Sequence, residues 1–346
     1  MPATYRDIQQ MTGLSFATIS KYFNGGNLLA RNRRAIEEAS AALNFRVNEF
    51  ARGLRTRRSQ TVGVLLAELN SSFNTSIIAR VEEILRAHGY GTIICDCRSD
   101  RSGEAEAVEF LLGKMIDGLI AIPLGNDGSV FAPAVERGVP VVLIDRLTDG
   151  FTTDSVIVDN AAASRTAVDE LVLHGHRRIA ILSGPDDIFT MSELTRGFQQ
   201  ALEEHGIEPC ADYLVTGDMT VDGGSTGIKR VLDLDEPPTA VFCVNYELTL
   251  GAVIALTESK IKFPEAVSLV WFDNLMLTRI VTPRPTMVVQ PIGRIAEVAA
   301  ELVLKRMVQK EPHEPRIIVL PTELVRGESV GTLATRASRV VERGLP

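Results

Sequence analysis

The sequence predicts two unlike parts: a small all-α head of helix-turn-helix type, and an α/β body of two doubly wound parallel-sheet lobes. Three observations carry this. Charge is segregated: residues 1–58 hold ten Lys/Arg and four Asp/Glu, a net +6, while the rest of the 346 residues hold 26 and 40, a net −14. The head contains short helical stretches broken at Thr12-Gly13 and Asn24-Gly25-Gly26. From Thr61 onward, short apolar runs alternate with helical stretches, the signature of βα units. The total charge of −8 conceals the first of these, because a basic block on an acidic body marks a segregated polyanion-binding module. An apolar content of 45% excludes disorder, and the absence of a short period excludes collagen and coiled coil.

In the head, residues 7–11 carry apolar side chains at helical spacing until Thr12-Gly13 stops them. Ser15 can cap a second helix over 16–23 through its hydroxyl, and Asn24-Gly25-Gly26 ends it. Two short helices joined by a tight glycine turn form a helix-turn-helix unit, whose second helix enters a DNA major groove. A third helix over 32–43 places Ile36, Ala39 and Leu43 on one face to close the core. A small helical interaction domain is the plainer alternative.

In the body, strands are expected at 62–69, 91–97, 118–123, 139–145, 179–183, 239–244 and 267–273, with helices such as 75–88 and 162–174 between them. Two such series, parted near Asp159-Asn160, give two similar lobes. His88-Gly89, Arg137-Gly138, His174-Gly175 and His205-Gly206 each follow a helical stretch. There, glycine supplies the left-handed residue and the basic side chain suits the negative helix end. Three of the five histidines are thereby read as caps, not as bases or ligands. No G-x-S-x-G, H-E-x-x-H, P-loop or G-x-G-x-x-G motif is present, so no catalytic residue, metal or cofactor is expected. Cys95 and Cys97 fall on one strand face, as structural thiols, a redox pair or half of a metal site. No apolar run approaches a membrane span and residues 1–6 lack a signal-peptide core, so a cytoplasmic, nucleoid-associated protein with no membrane partner is expected. In open α/β sheets, ligands bind beyond the carboxyl ends of strands. Those ends carry Glu68-Leu69-Asn70, Pro123-Leu124, Asp145-Arg146, Asn245-Tyr246 and Asp273-Asn274, which would converge on an interlobe cleft.

Asp7-Ile8, Thr12-Gly13-Leu14-Ser15, Ala17-Thr18-Ile19-Ser20-Lys21 and Asn24-Gly25 together resemble the helix-turn-helix of the LacI/GalR (lac-repressor) family. Asn44-Phe45-Arg46-Val47-Asn48 and Ala51-Arg52-Gly53-Leu54-Arg55-Thr56 resemble the end of its third helix and its hinge helix, and the likeness runs to about Gly331. The resemblance implies a periplasmic-binding-protein-like body. It divides the chain into a helix-turn-helix domain (1–46), a hinge helix and linker (47–60), an N-terminal lobe (61–160 and 291–320), a C-terminal lobe (161–290 and 321–331) and a tail (332–346). It also implies base reading by Phe16, Ala17 and Lys21, where Lys21 can donate to guanine and the apolar pair can meet a thymine methyl. Thr4, Ser15, Thr18, Ser20 and Asn24 would position phosphates. Asn48, Ala51, Arg52 and Leu54 would lie in the minor groove, with Leu54 wedged into a base step; an ordinary linker leucine is the alternative.

By the same resemblance, the effector pocket comprises Phe73, Asn74, Asp145, Arg146, Thr190, Leu194, Met219, Asn245 and Asp273, although Asp145, Asn245 and Asp273 could instead cap loops or helices. Several positions depart from the family. Gln9 stands where a small residue is usual, and Ala30 where the third helix usually has a hydroxyl cap. Leu194 occupies the place of the effector-gripping arginine, which removes the strongest donor for a carboxylate, phosphate or sugar hydroxyl pair. The implied function is a DNA-binding transcriptional regulator, a repressor, controlled allosterically by a sugar or related metabolite. Its partners would be a pseudo-palindromic double-stranded operator, that effector and a second copy of the chain, since the tail lacks tetramerising heptads. The disfavoured alternatives are a solute-binding protein or a small-molecule enzyme on the same scaffold.

Overall fold

The computed structural model describes residues 3–23, 25–45, 58–98, 100–272, 281–308 and 314–333. The chain divides after Ser59 into two compact units.

The first unit holds α1 (Tyr5–Thr12), α2 (Phe16–Phe23) and α3 (Ala30–Ala42). Asp7 accepts from the Thr4 amide at 2.7 Å and from its hydroxyl at 2.8 Å, fixing the start of α1. Gly13 ends α1 with φ 68°, a left-handed turn that glycine adopts without strain. Ser15 Oγ accepts from the Thr18 amide at 3.2 Å and starts α2 as the sequence reading expected. Helix α3 begins two residues earlier than expected, at Ala30, and has no side-chain cap. Ile8, Ile19 and Ile36 are fully buried, with Ala39 beside them, so one apolar residue or pair from each helix closes the core.

The second unit contains two six-stranded sheets. The first is built from β1 (Thr61–Leu66), β2 (Gly91–Asp96), β3 (Gly118–Ala121), β4 (Val141–Ile144), β5 (Asp154–Val158) and β11 (Ile317–Leu320), in the order β11-β5-β4-β3-β1-β2. All its pairings are parallel. Helices α4 (Ser72–Ala87) and α11 (Ile292–Val308) supply the core on one face, and α5 (Arg101–Gly113) with the short α6 (Ala132–Glu136) on the other. Covering both faces explains why β3, β4 and β5 read as unbroken apolar or buried runs. The edge strands β2 and β11 are instead partly exposed.

The second sheet uses β6 (Ile179–Ser183), β7 (Leu214–Thr216), β8 (Ala240–Cys243), β9 (Ser268–Phe272), β10 (Thr286–Val289) and β12 (Glu323–Val325), in the order β12-β10-β9-β8-β6-β7. Only β12 runs antiparallel. Around it lie α7 (Asn160–Leu173), α8 (Phe189–Glu204), α9 (Val221–Leu232) and α10 (Tyr246–Glu258). The chain passes between sheets three times: from β5 to α7, from β10 to α11, and from β11 to β12.

The histidine-glycine signature holds. His88, His174 and His205 are the C-caps of α4, α7 and α8, and the following glycines have φ of 81°, 88° and 65°. The seven strands expected from sequence are all present. Strands β5, β7, β10, β11 and β12 are not anticipated by the sequence, because each is short and all five lie at a sheet edge (β7, β11, β12) or next to one (β5, β10). Burial pushes the Cys97 thiol up to about 12, leaving it unionised and unreactive at neutral pH.

Candidate functional site: a helical reading face and an interlobe cavity

In the first unit, burial of Ile19 fixes the rotation of α2 and turns Phe16, Ala17 and Lys21 outward. Ala17 and Lys21 are four residues apart and therefore neighbours on one helix face. Phe16 is 46% exposed, yet Tyr5 braces it edge-on at 5.5 Å between ring centroids. Tyr5 also stacks on Phe23 at 5.2 Å, so α1 holds the apolar end of the reading face. Gly26 lies against the Lys21 side-chain stem and donates its amide to the Lys21 carbonyl at 2.8 Å. Arg6, Arg31, Arg33 and Arg34 are exposed, with Arg34 paired to Glu38 and the Arg33 guanidinium 5.6 Å from the centre of the Tyr22 ring on α2. Thr4 and Ser15 are exposed, and Thr18 and Ser20 half-buried. The Ser15 and Thr18 hydroxyls lie 2.9 Å apart, and Thr4 is bonded to Asp7. Asn24, Asn48, Ala51, Arg52 and Leu54 lie outside the described residues.

In the second unit, a cavity of about 460 Å³ opens where the carboxyl ends of eight strands meet. Ala67, Glu68 and Ser71 follow β1, Ile122 and Leu124 follow β3, Asp145 and Arg146 follow β4, and Asn160 follows β5. From the other sheet come Pro185, Asp187 and Ile188 after β6, Val244 and Asn245 after β8, Phe272 at the end of β9, and Gln290 after β10. Each sheet reverses its strand order there, between β1 and β3 and between β6 and β8, and such switch points leave a crevice.

Eight of the nine pocket residues expected from sequence line this one cavity: Phe73, Asn74, Asp145, Arg146, Thr190, Leu194, Met219 and Asn245. Asp273 lies outside the described residues. Asn245 is also a cap: its Oδ1 accepts from the Leu248 amide at 2.8 Å, so the helix-capping alternative holds without removing the side chain from the cavity wall. Asn74 donates to the Glu68 carbonyl at 2.8 Å.

Arg146 is the sole basic residue in the lining among the described residues, and most of its donors are already used. Nη1 donates to the Pro123 and Leu124 carbonyls at 2.7 and 2.9 Å, and Nε to Asp145 at 3.3 Å. Only Nη2 remains to replace the arginine that Leu194 lacks. Burial raises the Asp145 carboxyl above its ordinary range, with Arg146 opposing the shift. Asp145 also adopts φ 73°, a conformation in which aspartate is enriched over other non-glycine residues.

Sequence reasoning missed Asn160, Asp187, Glu247 and Gln290 as pocket residues. All four sit within four positions of a strand end, a signal that applies to every strand once all the strands are known. Glu247 lies one step into α10. Burial and the neighbouring Glu68 charge hold its carboxyl above the usual range. Among the described residues, no cluster of three or more His, Cys, Asp or Glu is placed to hold a metal.

Comparison with known proteins places this architecture. Residues 59–326 match the family described as periplasmic binding proteins and sugar binding domain of the LacI family. The catabolite control protein A of Priestia megaterium is 31% identical, covering 93% of this chain and 97% of its own. The HTH-type transcriptional repressor CytR of Escherichia coli K12 is 30% identical, over 88% and 90%. Among solved structures, the lac repressor dimer bound to operator and the anti-inducer ONPF superposes with a TM-score of 0.85 at 26% identity, covering 96% of this chain and all of that one. The complex of the transcriptional regulator CelR with cellobiose gives 0.72 at 28% identity, over 94% and 99%. With a family match across most of its length and relatives of this identity, this chain belongs to the LacI family of transcriptional regulators.

Proposed function

We propose that this protein is a sequence-specific DNA-binding transcriptional repressor controlled by a small molecule held between the two lobes. The observation that carries the reading is the pairing of an outward α2 face bearing Phe16, Ala17 and Lys21 with a cavity walled by both sheets of the same chain. The similar lac repressor binds operator as a dimer; two copies of this chain would present their α2 helices to successive major grooves of a pseudo-palindrome in cytoplasmic DNA. Phe16, Ala17 and Lys21 read bases; Thr4, Ser15, Thr18, Ser20 and Asn24 position phosphates; Asn48, Ala51, Arg52 and Leu54 enter the minor groove.

The two lobes comprise 61–160 with 291–320, and 161–290 with 321–331. They close on a ligand held by Phe73, Asn74, Asp145, Arg146, Thr190, Met219, Asn245 and Asp273, with Leu194 in place of an anion-gripping arginine. Closure biases the segment at 47–60, a coupling of about 1–3 kcal/mol that must act equally in both directions. The test is selection of bound sequences from random DNA, followed by footprinting of the winner. A palindromic site with steeply salt-dependent affinity supports the reading, and binding without sequence preference overturns it.

A further inference from the structure

The cavity carries an unbalanced charge. Its charged lining residues are Glu68, Asp145, Asp187, Glu247 and Arg146. Arg146 and Asp145 face each other at 3.3 Å and offset one another, which leaves Glu68 and Glu247 with no compensating cation in the lining among the described residues. Glu68 and Glu247 come from opposite lobes, one beyond β1 and the other in the first turn of α10, and the field of Glu68 acts on Glu247. Neither has an ion-pair partner among the described residues. Closing the lobes on an empty cleft therefore brings like charges together, a cost that a positive ligand reverses.

A second observation points to a ligand independently of charge. Gln290 and Thr190 line the cavity and are more than nine-tenths buried, yet Gln290 Oε1 and Thr190 Oγ1 have no hydrogen-bond partner among the described residues. Asn160, equally buried in the same lining, leaves its Nδ2 donor without a partner among the described residues, so the cavity wall holds unsatisfied groups of both kinds, acceptors and a donor, beside its carboxylates. Buried polar atoms are ordinarily satisfied, and a ligand carrying N–H and O–H groups, whose hydroxyls accept as well as donate, would complete these. Leu194 is 1% exposed, so no guanidinium stands ready there for an anion. Phe73 and Phe272 add aromatic faces of the kind that accept a cation or the apolar side of a ring. The volume of about 460 Å³ suits a ligand of sugar size.

We propose that this cavity takes an amine-bearing, sugar-sized ligand whose ammonium group sits between Glu68 and Glu247 and ties the two lobes together. The inference rests on the reading of the cavity as an effector site. Calorimetry on the full-length protein tests it with matched probes: D-glucosamine against D-glucose and N-acetyl-D-glucosamine, and D-galactosamine against D-galactose. The expected result is that at least one amine binds about tenfold or more tighter than its neutral partners. In Glu68→Gln and in Glu247→Gln, each confirmed folded by its melting transition, that preference falls to within about threefold. Equal or tighter binding of the neutral sugars, no binding of either amine at millimolar concentration, or an undiminished preference in both variants overturns the proposal. The same preparation is tested separately, without sugar, for its selected DNA site. A sound operator complex with no amine preference removes only this inference, whereas failure to select DNA removes the regulator reading itself.

Discussion

The side-chain oxygen of Asn126, in the lobe of the first sheet, accepts a hydrogen bond from the backbone amide of Phe189, the first residue of α8 in the other lobe, at 3.1 Å. The N-cap of α8 is Ile188, which has no side-chain acceptor, so Asn126 satisfies an orphan amide from across the cleft. This bond exists only while the lobes are close. Asn126→Ala is expected to favour the open form and weaken ligand binding by about fivefold, the worth of one net hydrogen bond of about 1 kcal/mol. A radius of gyration from solution scattering that is no larger in the unliganded variant would contradict the latch.

Arg306 of α11 makes a two-pronged ion pair with Asp154 of β5, at 2.5 and 2.9 Å, with both side chains buried. Asp154 also accepts from the Arg316 amide at 2.9 Å, so one carboxylate fastens a helix and the approach to β11. Removing one partner strands a buried charge. Arg306→Met is expected to cost about 3–5 kcal/mol in urea unfolding, and the paired change with Asp154→Leu to recover part of that loss. A single variant as stable as wild type would refute the account.

Gly197 of α8 packs directly on the backbone of Ala161 in α7: a methyl group built there would lie 2.5 Å from the Ala161 Cα. Backbone cannot yield as a side chain can. Gly197→Ala is expected to lose about 1–3 kcal/mol through overpacking, although alanine favours an isolated helix. Thermal melting decides between the two effects by the direction of the shift.

The raised Glu247 carboxyl has a signed consequence. A carboxyl held above its ordinary value of 4.5 destabilises the fold once ionised. That penalty is absent below 4.5, grows through the raised value and is complete above it. Glu247→Gln removes it, so the unliganded variant should melt above wild type at pH 8, with the difference shrinking toward zero as pH approaches 4.5. A difference independent of pH would show that burial and Glu68 do not act as described.

Lys21→Ala should relax preference at one or two base pairs, at about 1–3 kcal/mol if the contact to guanine is bidentate. Uniform weakening across all sequences in a binding-site selection would assign Lys21 to a phosphate instead.

Much of this was legible before any fold was known. Ile36 and Ala39 were placed in the head core by spacing, and three histidines were read as helix ends because glycine follows each. The eight described pocket residues were found through a family resemblance resting on short motifs, and strand-end chemistry supported several of them. Arg146 was legible as a cation but not as one already committed to Pro123, Leu124 and Asp145, because carbonyl positions depend on loop conformation. Strands such as β5 and β10 escaped notice because their short runs gain their strand character from pairing with distant neighbours, not from their own pattern.

The sequence alone determined the partition into a basic helical head and an acidic α/β body, since net charge, helix stops and βα alternation are local properties of the chain. Only the tertiary structure decided that Asn160, Asp187, Glu247 and Gln290 share a cavity with Glu68 and Thr190. These residues lie on both lobes, and the chain passes between the sheets three times. The reason is that strand order is set by non-local hydrogen bonding. Where β1 meets β3 and β6 meets β8, the helices diverge to opposite faces and leave a crevice. No local pattern specifies which side chains will look into it.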